Sequence, residues 1–210
     1  MVRVKVCGIT NLEDALVAAS AGADALGFNF WPESPRYLAP ARAADIIAHL
    51  PPFVMPVGVF VNEPPGRLLR TVARARLRGV QLHGDEPPEA ASAFAQDGVA
   101  VLKAFRVGRG FRPAQLRDYP AASAFLLDAQ VKGKRGGTGK SFDWRLARQA
   151  GRYGRVLLAG GLTPENVADA VRQAQPFGVD VCTSVEHKPG VKDHARLREF
   201  IARAKGVRLA

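Results

Sequence analysis

Short apolar runs alternate along the chain with longer segments in which apolar residues recur every three or four positions. The longer segments, such as "NLEDALVAASAG" and "PENVADAVRQAQ", have the spacing of amphipathic helices. The short runs are rich in Val, Leu, Ala and Phe, which is typical of buried strands. They recur near residues 3–7, 24–29, 56–61, 79–82, 99–105, 123–128, 155–159 and 178–182. The pattern therefore predicts eight strands, each followed by a helix.

Strands that are almost continuously apolar indicate a parallel sheet covered by helices. Eight strand-then-helix units favour closure into a (β/α)8 TIM barrel, and no linker divides residues 1–210, so we predict one α/β domain. A doubly wound open sheet is the alternative, although no GxGxxG motif follows the first strand.

Several helices carry start and stop signals. Thr10 stands three residues before Glu13, which predicts a capping box, and Gly22 is expected to end the same helix. Pro164 follows Thr163, which predicts a first-turn proline after a cap.

Composition narrows the function classes. The formal charge of +11 comes from Arg and Lys scattered among helical segments without a dense tract, so we expect acidic small molecules as ligands and no nucleic acid. The first strand leaves no room for a signal peptide, and "FVMPVGVFV" is too short to span a bilayer. We therefore expect a soluble cytoplasmic protein without membrane contact. Cys7 and Cys182 show no metal-type spacing, so no metal is expected.

Polar and reactive residues follow the predicted strands. In a parallel barrel the carboxyl ends of the strands meet at one rim, where catalytic residues lie. Each such residue has an ordinary structural alternative: a buried thiol, a loop histidine, a helix-capping aspartate or a glycine turn. Their coincidence on one rim favours a functional site. The residues are Cys7, His83, Asp128, Gly160, Gly161 and the segment "VDVCTS".

Alternation within strands predicts which of these side chains point inward. If Cys7 faces the barrel interior, so does Lys5, while Val4 and Val6 face the helices. The same parity turns Asp180 and Cys182 inward. Because the first and last strands become neighbours on closure, Lys5 and Asp180 are expected to form a buried ion pair, either structural or in contact with substrate.

Seven motifs stand in a specific order and spacing that resembles the phosphoribosylanthranilate isomerase family over nearly the whole chain. The resemblance implies that Cys7 is a general base, that Asp128 is a general acid, and that Arg36 contacts the anthranilate carboxylate. The motifs are "KVCGIT" (5–10), "GFNFWPESPR" (27–36), "QLHG" (81–84), "LLD" (126–128), "GGTGKSFDW" (136–144), "LAGGLTPENV" (158–167) and "GVKD" (190–193).

The reaction that this resemblance implies is an Amadori rearrangement in tryptophan biosynthesis, which needs no cofactor because only protons move. The implied partner is a phosphosugar–anthranilate small molecule, with the chain acting as a monomer or homodimer. Burial after the run "AFLL" would keep a fraction of the Asp128 carboxyl protonated, as an acid requires. Cys7 needs nearby positive charge to act as a base, from Lys5 or the glycine turn.

Substrate-binding residues are expected around the phosphate. The resemblance places it between the last two strands, against Gly160, Gly161, Thr183 and Ser184, and we expect His83 and Asp180 to contact the substrate as well. The family pattern Ser-Ser-Gly-Val-Glu is here "CTSVE". Ser184 is therefore either strained in a glycine position or holds the anion slightly away, or else it offers its hydroxyl to the phosphate.

The long basic segment "VKGKRGGTGKSFDW" after Asp128 is suited to closing over the substrate, or is an ordinary surface loop. Other hypotheses remain open at this point: a related phosphosugar isomerase, indole-glycerol-phosphate synthase, or an RNA-binding or scaffolding module without activity.

Overall fold

The computed structural model describes residues 1–96, 98–108, 110–129 and 143–208. Its strands are β1 (Arg3–Cys7), β2 (Ala25–Asn29), β3 (Met55–Phe60), β4 (Gly79–Leu82), β5 (Ala100–Val107), β6 (Ala124–Ala129), β7 (Val156–Leu158) and β8 (Gly178–Val181). They pair in parallel in sequence order, and β8 pairs with β1 to close the barrel. The predicted TIM barrel is confirmed.

Helices cover the outside of the barrel. They are α1 (Leu12–Ser20), α2 (Pro40–Ile47), α3 (Pro65–Ala75), α4 (Pro88–Gln96), α5 (Trp144–Ala150), α6 (Val167–Ala174) and α7 (His194–Lys205). The connection from β5 to β6 differs from the prediction, because it holds a 3₁₀ helix, Pro113–Asp118, instead of an α-helix. Pro113 and Pro120 enclose too few residues for two α-helical turns, and the second proline disfavours helix before it.

The connection from β8 to α7 is also irregular. A 3₁₀ turn, Thr183–Val185, leads into two short antiparallel strands, β9 (Glu186–Lys188) and β10 (Val191–Lys192). This ribbon lies outside the barrel sheet, and it brings residues after β8 back toward the carboxyl end of β1.

The helix signals were predicted with mixed success. The capping box at Thr10 is wrong: Asn11 is the N-cap of α1 and accepts from the amide of Asp14, while the Thr10 hydroxyl donates to the carbonyl of Gly190. Gly22, with φ of +101°, follows the last turn of α1 as expected. Helix α6 begins at Val167, after a turn that includes Pro164, rather than at the proline itself.

Packing follows the predicted alternation. Val4 and Val6 are fully buried between barrel and helices, whereas Lys5 and Cys7 face inward. The barrel interior holds a separate small apolar cluster of Leu102, Ala104, Ala124, Leu126, Leu157 and Ala159. Polar side chains occupy the layer above it, at the carboxyl ends of the strands. Among the helices of the described residues, none has the length and apolar character needed to cross a membrane.

Candidate active site

One cavity of about 690 Å³ opens at the carboxyl ends of the barrel strands. All nine residues predicted from the sequence as site residues line it, so the structure brings them together. They are Cys7, Arg36, His83, Asp128, Gly160, Gly161, Asp180, Thr183 and Ser184. The cavity is large enough for a substrate of drug-like size.

The floor of the cavity contains the predicted ion pair. Lys5 Nζ lies 2.7 Å from Asp180 Oδ1, and the Lys5 side chain is 1% exposed. Burial raises the pKa of Asp180 to about 7, although the charge of Lys5 opposes this shift. Burial opposes the charged form of Lys5, but Asp180 and Cys7 outweigh it and raise the pKa of Lys5. The ammonium therefore remains charged beneath the cavity.

Cys7 is a free, half-buried thiol beside this ion pair. A hydrogen bond from the Cys182 thiol lowers the pKa of Cys7 well below its ordinary value, although burial acts in the opposite direction. The positive charge of Lys5 lowers it further. Gly27 on β2 leaves space here, because a Cβ at that position would lie 2.9 Å from Cys7 Sγ and 3.2 Å from Lys5 Nζ.

Asp128 reaches the same cavity from the end of β6. Its Oδ2 lies 3.6 Å from His83 Nε2, and His83 Nδ1 is 2.5 Å from Gln81 Nε2. The carboxyl requires glycine beside it: Gly160 has φ of +75°, and a Cβ there would lie 2.5 Å from Asp128 Oδ1. Asp128 and His83 are therefore held as neighbours at the end of the barrel.

Arg36 lies at the cavity wall and is already paired with a carboxylate. Its Nε and Nη2 donate to Glu186 at 2.9 and 2.6 Å, and Nη2 also donates to Thr183 Oγ1 at 3.3 Å. The pair is bidentate, which fixes the plane of the guanidinium. Glu186 accepts from Nε and Nη2 and not from Nη1, so the N–H groups of Nη1 take no part in this ion pair.

Sequence analysis missed Glu186 and Lys192 as members of the site. The Glu186 side chain is 2% exposed and also accepts from Lys192 Nζ at 3.0 Å. Lys192 Nζ donates to the carbonyl of Cys7 at 2.6 Å. Both residues belong to the ribbon after β8, which lies beyond the ends of the barrel strands. Lys192 does lie within the "GVKD" motif, which was the available signal.

The expected phosphate region shows a correction. Gly160 and Gly161 have φ of +75° and +68°, but Ser184 does not have a positive φ, so the idea of a strained backbone at Ser184 is wrong. The Ser184 hydroxyl donates to the carbonyl of Leu162 at 2.6 Å. Its proton is therefore engaged between two loops and is not directed at an anion in this structure.

Two further expectations concern the lid segment after Asp128 and the binding of a metal ion. Of the predicted lid segment, residues 131–142 lie outside the residues that the structure describes. Asp143, which is described, is the N-cap of α5. Within the described ranges, no three His, Cys, Asp or Glu side chains converge as ligands for a metal ion.

Comparisons with known proteins agree with the geometry. Residues 4–203 match the family model described as N-(5'-phosphoribosyl)anthranilate (PRA) isomerase. A relative of that name from Geobacter sulfurreducens is 56% identical over 206 residues, covering 98% of this chain and all of the relative. The Thermotoga maritima phosphoribosyl anthranilate isomerase structure is 46% identical with a TM-score of 0.92, over 99% of this chain and all of that one.

Another solved isomerase of this name is bound to reduced 1-(o-carboxyphenylamino)-1-deoxyribulose 5-phosphate. It is 44% identical, with a TM-score of 0.88 over 99% of this chain and all of that chain. A further Thermotoga maritima structure is described as monomers made from a dimeric form of the enzyme. The fold, the cavity and the full-length match lead to one conclusion: the chain belongs to the N-(5'-phosphoribosyl)anthranilate isomerase family of TIM-barrel enzymes.

Proposed function

We propose that this chain converts N-(5-phosphoribosyl)anthranilate into 1-(2-carboxyphenylamino)-1-deoxyribulose 5-phosphate in tryptophan biosynthesis, without a cofactor. The observation that carries the proposal is that Asp128, at the end of β6, and Cys7, at the end of β1, line the same cavity. A proton donor and a proton acceptor are the two groups that an Amadori rearrangement requires.

Asp128 is the general acid in this proposal. It protonates the ribose ring oxygen, the bond from that oxygen to C1 breaks, and the nitrogen lone pair forms the C1=N bond of a Schiff base. His83, 3.6 Å from the Asp128 carboxyl, lies within reach of the same end of the substrate. Because the glycine at position 160 leaves the carboxyl room, the acid can approach the ring oxygen closely.

Cys7 is the general base. Its thiolate removes the proton from C2 of the sugar, and the C–H electron pair forms the C1=C2 bond of an enolamine as the C1=N electrons return to nitrogen. Tautomerisation of the C2 enol then gives the ketone. A base of this kind needs its thiolate near neutral pH, which the low pKa of Cys7 beside Cys182 and Lys5 supports.

A charge count around Cys7 supports the thiolate. The surrounding ion-paired cluster has three cationic side chains and two carboxylates, which leaves one positive charge when both carboxylates are ionised. A thiolate on Cys7 balances that charge at short range. The cluster consists of Lys5, Arg36, Lys192, Asp180 and Glu186.

In this proposal the carboxylate and the phosphate of the substrate bind to different sides of the cavity. Arg36, held by Glu186, presents its remaining N–H groups to the anthranilate carboxylate. The phosphate lies against the backbone of Gly160 and Gly161 and the turn that begins at Thr183, the location usual for TIM barrels. The product analogue bound to the relative has both a carboxylate and a phosphate, which supports this arrangement.

Assembly and location are part of the same proposal. A relative described as dimeric favours a homodimer over a monomer for this chain. We expect it to act in the cytoplasm on a diffusible small molecule. Light scattering of the purified protein measures the oligomeric state directly.

The test of the proposed function is the loss of fluorescence after freshly prepared phosphoribosylanthranilate is added to the protein. We expect repeated turnover by the wild type and a decrease of roughly 100- to 10,000-fold in Asp128→Asn, the range for one proton-transfer group. A binding module without activity would show at most stoichiometric fluorescence changes. Absence of turnover by folded wild-type protein would overturn the proposal.

A further inference from the structure

Gln81 is a buried polar residue at the active-site cavity to which the proposed mechanism assigns no task. It lies on β4, lines the cavity and is 1% exposed. Its neighbours in the barrel register, Val59 on β3 and Leu102 on β5, are both apolar. The Gln81 Oε1 atom is buried without a hydrogen-bond partner among the residues that the structure describes. An unpaired buried acceptor costs free energy, so packing alone favours an apolar side chain at this position.

The amide of Gln81 contacts the imidazole of His83. Gln81 Nε2 lies 2.5 Å from His83 Nδ1, whereas the other ring nitrogen, Nε2, lies 3.6 Å from Asp128 Oδ2. The second distance is too long for a hydrogen bond, so a proton on His83 Nε2 would remain available to a substrate atom. His83 therefore lies between a buried amide and the proposed general acid.

The location of the proton on the His83 ring depends on these two contacts. In a neutral imidazole one nitrogen carries a proton and the other has a lone pair. An N–H of Gln81 that donates to Nδ1 requires the ring proton to lie on Nε2. If the amide is turned by 180°, Oε1 accepts from Nδ1–H instead, and the lone pair of His83 Nε2 faces the carboxylate oxygen of Asp128. Electrostatic repulsion disfavours that second arrangement, because two acceptors face each other.

We propose that Gln81 is a positioning residue for His83: its amide N–H donates to Nδ1 and keeps the ring neutral, with the ring proton on Nε2. His83 then offers an N–H to an oxygen of the sugar, beside the general acid. A charged imidazolium in this place would favour the carboxylate form of Asp128, which has no proton to give. The inference rests on the proposed function, because a neutral ring matters to turnover only if Asp128 donates a proton.

Charged and titratable groups around His83 act on the ring in both directions. The Asp128 carboxylate favours a second ring proton. The amide of Gln81 opposes that proton, because an N–H on Nδ1 would then face another N–H. The other groups of this kind that line the cavity with His83 are Cys7, Arg36, Arg106, Asp180 and Cys182. Without the amide, the ring is expected to gain its second proton more readily.

Nuclear magnetic resonance of the imidazole rings tests the assignment without any substrate. In isotope-labelled protein, long-range proton–nitrogen correlation spectra distinguish a ring nitrogen that carries a proton from one that has a lone pair. The chain has four histidines, and the signals of His83 are those that His83→Asn removes. At a pH where the ring is neutral, we expect a proton on Nε2 and a lone pair on Nδ1 in the wild type. A neutral ring with its proton on Nδ1 would overturn the inference.

Gln81→Met removes the donor and the unpaired Oε1 while it keeps the length of the side chain. In this variant His83 is expected to gain its second proton about one pH unit higher than in the wild type, the scale of one hydrogen bond. The kcat/KM for phosphoribosylanthranilate should fall about 10-fold for the same reason. The urea midpoint should not fall below that of the wild type, because the unpaired acceptor is gone. A purely structural role for Gln81 would not combine these results.

Gln149→Met is the matched control, because Gln149 is exposed on α5. It should leave the His83 spectra, kcat/KM and the urea midpoint unchanged. Wild-type values in Gln81→Met for both the titration of His83 and kcat/KM would overturn the inference.

If Gln81→Met does not fold, Gln81→Glu provides a second variant. It keeps the shape of the side chain but replaces the donor by a carboxylate that accepts from Nδ1–H, so its spectra should show a proton on Nδ1 of His83. A lone pair that stays on Nδ1 in this variant would also overturn the inference. Failure of the proposed function is distinguishable, because wild-type protein without turnover would refute the function while the His83 spectra still report on the ring.

Discussion

Cys7 and Asp180 have pKa values shifted in opposite directions because their neighbours differ. Cys7 receives a hydrogen bond and lies beside a lysine, which stabilises its charged form. Asp180 is buried deeply enough that desolvation exceeds the stabilisation from the same lysine. At the scale of the residue, chemistry at this site follows from what each side chain touches.

Arg36 offers a test at this scale. A lysine cannot keep a bidentate contact with Glu186 and also meet a planar carboxylate on the substrate. Arg36→Lys is therefore expected to raise KM by about 10- to 100-fold, the scale of a lost charge-assisted hydrogen bond, with a smaller effect on kcat. Steady-state kinetics measure both. The assignment fails if wild-type protein binds an analogue without the carboxylate as tightly as one that has it.

At the scale of elements, buried polar contacts join the loops that form the rim. Glu86, after β4, accepts from the amides of Asn62 and Gly84 and from Lys103 Nζ at 2.8 Å. The Glu86 and Lys103 side chains are almost fully buried between barrel and loops. One carboxylate thus fixes the loop after β3 and the loop that follows His83.

Removing one member of this buried pair is expected to be costly. Lys103→Met leaves the Glu86 carboxylate without its cation, and we expect a loss of about 3–5 kcal/mol in the free energy of unfolding. Urea denaturation followed by circular dichroism measures it. Arg172→Met is the matched control, because its pair with Asp169 is exposed and should contribute about 1 kcal/mol or less. Equal losses in the two variants would contradict this account of the loops.

Ser184 links the loop after β7 to the turn after β8. Because its φ is not positive and its hydroxyl donates to Leu162, Ser184→Gly is expected to lose a hydrogen bond without relieving strain. Stability should fall by about 1 kcal/mol. Affinity for a phosphate-bearing product analogue should also decrease, because this hydrogen bond no longer fixes the turn that we propose lies against the phosphate. Calorimetric titration of the analogue into the wild type and into Ser184→Gly measures both affinities. Tighter binding by the glycine variant would mean that the serine side chain obstructs the phosphate.

At the scale of the whole molecule, Asp180 makes stability depend on pH. Its folded pKa of about 7 exceeds the value near 3.9 of an unfolded aspartate, so the folded state binds more protons between these two values. The contribution of this group is fully present below about pH 4 and is lost as the pH rises through about 7.

Asp180→Asn should remove this part of the pH dependence. Between about pH 5 and pH 7 the free energy of unfolding of the wild type should decline, relative to the variant, by up to about 1.4 kcal/mol per pH unit. Urea denaturation of both proteins across this range supplies the slopes. Parallel slopes would show that Asp180 does not titrate there.

The sequence predicts the whole fold better than it predicts the second layer of the site. The periodicity of apolar residues is sufficient to predict the eight strands, and alternation within strands is sufficient to predict that Lys5 and Asp180 point inward. Both predictions depend only on regular local structure. Glu186 and Lys192 follow an irregular turn, so their approach to Cys7 and Arg36 depends on tertiary packing. The capping signal at Thr10 fails because the adjacent Asn11 is also a good N-cap and is the residue whose side chain accepts from the amide of Asp14.

The central claim is that Cys7 removes the C2 proton of the sugar, and the turnover of Cys7→Ser tests it most directly. A serine hydroxyl is far too weak an acid to supply an anion at neutral pH, so the fluorescence assay should show turnover reduced by roughly 100- to 10,000-fold. Affinity for the reduced product analogue should stay within a few fold of the wild type, which shows that the cavity is intact. Turnover near the wild-type rate, with the analogue bound as tightly, would contradict the account.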